Sequence, residues 1–266
     1  MIHAALRRCN ALPSIFPANG GGITLQFQTV PMHRQFSTAI QQQHWIDKMF
    51  PGVRDWLEAK NREFWFRGLE ERCRRHHLLQ GREIFLRTAV ESEYQHVYNR
   101  HTHQIVDSRS KQHLSVAALA VASHKVLLSF IRDEIEVLKM INDHMGAHTA
   151  PALIFLMRMA SWLQRDPYAS LVSRLRGLKL DYGLGFASTL HIVDQPHHQA
   201  SLTIAKCFYR EIFEEENVVQ LARCCCCSVD RVWLEGAKLN HVFAGLVDSM
   251  ASGDKKCCFV VKKIEN

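Results

Sequence analysis

Residues 54–79, "RDWLEAKNREFWFRGLEERCRRHHLL", mix good helix formers with aromatics at near-helical spacing, which predicts a helix. Gly81 breaks it before a second helical stretch over 82–101. Three further apolar helical segments are predicted near 113–143, 150–164 and 167–180. Pro151 suits a first helical turn, and "RDPY" at 165–168 is a stop-and-restart signal. The pattern changes at "DYGLGF" (181–186). Residues 186–194 alternate as a strand does, "QPHH" supplies a turn, and 200–207 forms the second arm of a hairpin. One helix is expected over 208–235. A second strand pair follows at 241–251 and 256–264, turning around Ser252, Gly253 and Asp254. The expected class is α+β: a helical N-terminal part followed by a small antiparallel β-β-α-β-β unit. With no internal repeat or long linker, the helical region 47–180 and the cysteine-rich region 181–266 are expected to pack as one unit.

The composition fits a soluble globular chain. It has 266 residues, 47% hydrophobic and 22% charged, enough to bury a core without disulfides or metal. His124 and Lys125 interrupt the apolar run 114–130, and Arg158 interrupts 149–163, so both are expected to be buried helices and no membrane span is expected.

The net charge of +7 is uneven. Residues 1–46 contain no Asp or Glu but include Arg7, Arg8 and Arg34. An acid-free leader carrying Arg and Ser has the composition of an organellar transit peptide. "RQFSTA" (34–39) resembles the mitochondrial presequence pattern with cleavage after Phe36. Residues 1–36 are thus expected to be a leader to the mitochondrial matrix, with a plastid as the alternative. Removing it leaves about +4, too mild a charge to argue for a nucleic-acid partner.

Several motifs carry little chemistry. "GLGFAS" (183–188) lacks the strand before it, the helix after it and the third glycine of a dinucleotide loop, so it reads as a turn. The pairs His76–His77, His101–His103 and His197–His198 lack the spacing that places two ligands on one helix face. The arginines and glutamates of 54–79 read as a solvated, ion-paired face.

The cysteines are different. Seven of nine lie after residue 206, at Cys207, Cys224, Cys225, Cys226, Cys227, Cys257 and Cys258. An organellar matrix or cytosol implies reduced thiols. On a regular helix Cys227 would share a face with Arg223, Asp230 and Arg231, and Cys226 with Asp230, while Cys225 would meet apolar or small neighbours. A nearby guanidinium favours thiolate, so Cys227 is the best-placed thiol of the run. Three readings compete. Four thiolates, for example Cys207, Cys224, Cys227 and Cys257, could hold zinc or an iron–sulfur cluster, although no pair of C-x-x-C motifs occurs. The cysteines could simply pack a helix. One or two thiols could act as nucleophiles with Asp230 assisting and no cofactor.

"CFY" at 207–209, the C-x-x-D of Cys227–Asp230 and "GDKKCCF" at 253–259 together resemble the L-2-amino-thiazoline-4-carboxylic acid hydrolase family. The resemblance covers about residues 185–264; Cys224, Cys225, Cys226 and Cys258 depart from its pattern. It implies an enzyme that hydrolyses a non-peptide C–N bond of a small cyclic amidine, opening 2-amino-thiazoline-4-carboxylate to S-carbamoyl-cysteine. It further implies Cys227 or Cys207 as nucleophile, Asp230 as proton shuttle and Cys257 as a supporting or alternative thiol. Arg223 or Arg231 would bind the substrate carboxylate, with Gly253 in the substrate-binding set. A family member that has lost catalysis and binds a small ligand is the remaining alternative.

Overall fold

Asp107 starts the helix on which the rest of the chain is packed. Its carboxylate accepts the Ser110 amide at 2.6 Å while the Ser110 hydroxyl takes the Asp107 amide at 2.8 Å, a reciprocal cap of the kind that favours helix initiation. In the computed structural model, which describes residues 53–75, 83–145, 155, 159, 166–193, 198–227, 230 and 241–264, the helices are α1 (Val53–Arg75), α2 (Glu83–Arg100), α3 (Ser108–Ile131), α4 (134–145) and α5 (Pro167–Tyr182). The predicted leader and most of the predicted helix 150–164 lie outside the described residues.

α3 contacts α1, α2, α5 and, further along the chain, α6 (Phe208–Glu215). Its alanine-rich stretch 117–122 is buried, which lets neighbouring helices approach closely. Among the described residues α3 is also the one helix long and apolar enough to cross a membrane; here 61% of that apolar window is buried inside the fold. The single predicted helix over 113–143 is corrected to two. Arg132 takes the left-handed conformation (φ 57°) and ends α3, and Asp133 accepts the Ile135 amide at 2.9 Å to start α4. At the start of α5, Asp166 accepts the amides of Tyr168 and Ala169 and proline opens the first turn, as "RDPY" predicts.

The second part is a four-stranded antiparallel sheet, with β1 (Ala187–Val193), β2 (Gln199–Lys206), β3 (Val242–Asp248) and β4 (Cys257–Lys263) in the order β1-β2-β4-β3. Both predicted hairpins form, and β2 joins β4 at the centre. The class is thus α+β, with the helical part first. Ala200, Leu202 and Ile204 pair in register with Val261, Phe259 and Cys257, and all six are buried. These residues lie on the same face as Leu190 and Ile192 of β1, and α5 contacts all four strands. Strand alternation therefore separates the last two cysteines: Cys257 shares the face of Phe259 and Val261, while Cys258 stands opposite, paired with Thr203.

Candidate active site

The predicted continuous helix over 208–235 does not form. α6 ends at Glu215, the chain reverses through Asn217 (φ 57°), and hydrogen bonds from Leu221 to Val218 and from Ala222 to Val219 restart a turn. The next five residues, Arg223–Cys227, form a π-helical turn. Wider π turns shift which neighbours share a face, so the three- and four-residue offsets of a regular helix no longer assign partners here. Asn217 tolerates the left-handed conformation better than most residues, which fits the early stop.

The reversal is held by a buried carboxylate. The Glu216 side chain is 1% exposed and receives Arg100 at 2.8 Å, His101 at 2.8 Å and Lys125 at 2.6 Å. Although burial opposes ionisation, the hydrogen bonds from Lys125 and His101 and the charges of Lys125 and Arg100 keep its pKa below the usual carboxylate value. Hydrogen-bond donors from α2, α3 and the turn after α2 thus fix where the cysteine run begins.

Four of the thiols meet. Cys226 interacts with both Cys207 and Cys227, and Cys227 with Cys257. Their elements are the N-cap of α6, the π turn and the first residue of β4. Cys224 and Cys225 are buried with pKa values raised by desolvation, the state of packing thiols. Cys258 accepts a long contact from the Thr203 hydroxyl (3.9 Å) on the other face of the sheet.

Cys227 has the strongest set of donors. Cys226 and Cys257 donate to its sulfur, the Ser249 hydroxyl donates at 3.4 Å, and the Ala251 amide adds a fourth donor. Together they outweigh burial and pull its pKa well below the ordinary thiol value. The Cys257 thiol is pushed up by donating to Cys227 and by burial, while accepting the Met250 amide at 3.3 Å. Cys207 is also lowered, through Cys226 and the first amides of α6. Cys226 has one proton for three acceptors, Cys207, Cys227 and Asp230, so one thiolate is stable at a time. Cys227 has additional donors in Ser249 and Ala251, which places the charge there.

Asp230 is buried and meets Cys226 (3.9 Å) rather than Cys227; its Oδ2 also accepts the Tyr182 hydroxyl at 3.2 Å. Beside it, Tyr209 Oη donates to His113 Nδ1 at 2.9 Å, because His113 Nε2 must donate to the Asp181 carbonyl, also at 2.9 Å. His113 is therefore a neutral imidazole, its pKa lowered to about 4 mainly by desolvation.

Arg223 departs from the regular-helix expectation. Arg223 Nε donates to the Ala251 carbonyl at 2.7 Å, and its charge acts on Cys224 instead of ranking among the leading influences on Cys227. Arg210 Nη1 reaches the Met250 carbonyl at 3.3 Å. Both guanidiniums thus brace the turn that donates to the sulfurs. Arg231 lies outside the described residues. Gly253 takes φ 103°, a left-handed conformation that closes the β3–β4 turn and has open space around its Cα. Asp254 completes that turn by accepting the Ser249 amide at 2.8 Å.

Sequence reasoning missed Ser249, Tyr182 and His113. Tyr182 stands in the quoted "DYGLGF", but nothing local marks its partner 48 residues away. The tetrathiolate alternative is not supported: among the described residues no group of three or more His, Cys, Asp or Glu could hold a metal ion, and the interacting thiols follow one another in a row. An open surface hollow on α2 is lined by Arg87, Thr88, Glu91, Ser92 and Gln95, away from the cysteines. No family model, curated protein or solved structure matches the chain.

Proposed function

We propose that the chain is a thiol hydrolase acting on the amidine C–N bond of a small cyclic substrate, with 2-amino-thiazoline-4-carboxylate as reference substrate. One observation carries this reading: the half-buried Cys227 sulfur is surrounded by four donors, from Cys226, Cys257, Ser249 and Ala251. Such a set stabilises a thiolate, the form of cysteine that attacks carbon.

In the proposed reaction Cys227 attacks the ring carbon between sulfur and the two nitrogens, once the ring nitrogen is protonated. The ring C–N bond breaks as its nitrogen takes a proton from the Cys226–Asp230 pair, leaving a covalent adduct on Cys227. Water adds to the same carbon, returns a proton to the pair and expels Cys227 as thiolate. The product is S-carbamoyl-cysteine. Tyr182, by donating to Asp230, holds the carboxylate toward Cys226.

The test is incubation of the purified chain with 2-amino-thiazoline-4-carboxylate, following S-carbamoyl-cysteine by mass spectrometry. Product that disappears in Cys227→Ser supports the reading. Absence of product from the wild-type chain, or unchanged turnover in Cys227→Ser, rejects it.

A further inference from the structure

Ser249 and Met250 are adjacent in the β3–β4 turn, and each donates to a different sulfur. The Ser249 hydroxyl lies 3.4 Å from Cys227 Sγ and the Met250 amide 3.3 Å from Cys257 Sγ. The two sulfurs are held by neighbouring residues of one turn and are hydrogen-bonded to one another. One is on the π turn and the other 30 residues later on β4, so a bond between them would join two elements that already touch. In the proposed hydrolysis Cys257 only donates to Cys227 and forms no bond with it.

We infer that Cys227 and Cys257 form a hydroperoxide-reactive dithiol, in which Cys227 attacks a small hydroperoxide and Cys257 then closes a disulfide with it. The inference rests on Cys227 being the thiolate of the proposed site, and it adds a second substrate class to that site.

The steps balance. The Cys227 thiolate attacks the terminal oxygen of ROOH; the O–O bond breaks, Cys227 becomes a sulfenic acid, and the alkoxide takes a proton from water to leave as ROH. Cys257 then attacks the Cys227 sulfur; the S–O bond breaks and hydroxide leaves with the Cys257 proton as water. Each sulfur gives up one electron and the hydroperoxide accepts both. A dithiol reductant reopens the bond by exchange. The Cys257 thiol is held protonated by its hydrogen bond to Cys227 and by burial, so conversion of Cys227 to a neutral sulfenic acid removes the first of these and leaves the second.

Geometry also selects the resolving partner. Cys226 touches Cys227 but is its chain neighbour, with Cα atoms about 3.8 Å apart across a trans peptide, shorter than the usual disulfide range of about 4.4–6.8 Å. Cys207 hydrogen-bonds Cys226, the residue before Cys227, and not Cys227 itself. Cys258 is on the opposite face of the sheet. Cys257 is left.

The experiment uses the full reduced chain, freed of reductant and treated with an equimolar amount of hydrogen peroxide at neutral pH. The expected result is loss of one thiol pair per chain and a linkage that fragment-ion mapping assigns to Cys227 and Cys257, reversed by dithiothreitol. Cys226→Ser and Cys258→Ser should keep the linkage. Cys257→Ser should lose it and accumulate a sulfenic acid at Cys227, trapped by dimedone at least about tenfold above wild type. A disulfide joining any other pair, or Cys257→Ser forming a disulfide as readily as wild type, overturns the inference. Thiazoline opening by the same samples separates the two proposals: hydrolysis without the linkage rejects only the dithiol, and the linkage without hydrolysis rejects only the hydrolase.

Discussion

The Ser249 hydroxyl donates to the sulfur of Cys227 at 3.4 Å, across 22 residues of chain. The turn that presents it is braced by Arg210 and Arg223 from outside and by Asp254 from within. A hydrogen bond to a thiolate lowers the free energy of the charged form alone, so its loss should appear as a change in acidity. Ser249→Ala is expected to raise the pH midpoint of Cys227 alkylation by about one unit, which corresponds to about 1.4 kcal/mol. Iodoacetamide labelling of Cys227 as a function of pH, read by mass spectrometry, measures it; an unmoved midpoint would show that the hydroxyl is not a donor to the sulfur.

Tyr182 and Asp230 make a second such pair, both buried, at 3.2 Å. The hydroxyl is held protonated, since burial and the neighbouring carboxylate both raise its pKa. Tyr182→Phe leaves the ring in its contact with Phe186 and removes one donor to a buried carboxylate. Stability should fall by about 1–3 kcal/mol. If Asp230 serves the ring nitrogen, thiazoline opening should fall further in kcat than in KM, since the hydroxyl positions a proton donor and touches no substrate. Denaturant melts together with steady-state kinetics separate the two effects, and an unchanged kcat would remove Tyr182 from the mechanism.

His113 predicts how stability responds to acid. Its folded pKa is about 4 against an ordinary 6.5. Below pH 6.5 the unfolded chain binds a proton that the folded chain refuses, so stability is complete above that value, declines as pH falls toward 4 and levels off below it. The contribution is about 3 kcal/mol. His113→Gln retains a donor and an acceptor at the site but does not titrate, and should flatten the slope between pH 6.5 and 4.5. The lower bound avoids the carboxylates, whose depressed pKa values, as at Asp107 and Glu216, add their own loss in stronger acid. Urea melts across the range test this, and equal slopes in both proteins would reject it.

Much of the framework could be read from local chemistry. "RDPY" marked the start of α5, alternation marked β1 and β2, and Ser252–Gly253–Asp254 marked the last turn, because each depends on residues adjacent in sequence. Two boundaries were not legible. Arg132 and Asn217 adopt left-handed conformations that no glycine announces, so α3–α4 and the segment after α6 each read as one long helix. The second error mattered for the site. A helix through Cys227 would have set Arg223 beside it, whereas the π turn directs the Arg223 guanidinium to the Ala251 carbonyl. The sulfur's partners, Ser249 and Cys257, come from the β3–β4 turn and β4, and contacts at that separation leave no local periodicity.

The stop after α6 is itself testable through Glu216. Its carboxylate gathers Arg100, His101 and Lys125, and Lys125 is shared with Glu93 at 3.1 Å. Replacing it by glutamine keeps the shape but removes the counter-charge of the half-exposed Arg100 and leaves Lys125 with Glu93 alone. Hydrogen bonds to charged groups contribute about 1.5–3 kcal/mol each, and less where the partner is partly exposed. Glu216→Gln should therefore lower stability by about 1.5–3 kcal/mol, as read in urea melts. Because this cluster sets where the chain leaves α6, the variant should also lose Cys227's enhanced reactivity at conditions where the fold persists. Lys125→Met, which removes only a partly exposed cation, should cost less and leave the alkylation profile of Cys227 in place. Loss of stability in Glu216→Gln with Cys227 reactivity unchanged would show that the reversal is set by the backbone turn at Asn217 and not by the buried carboxylate.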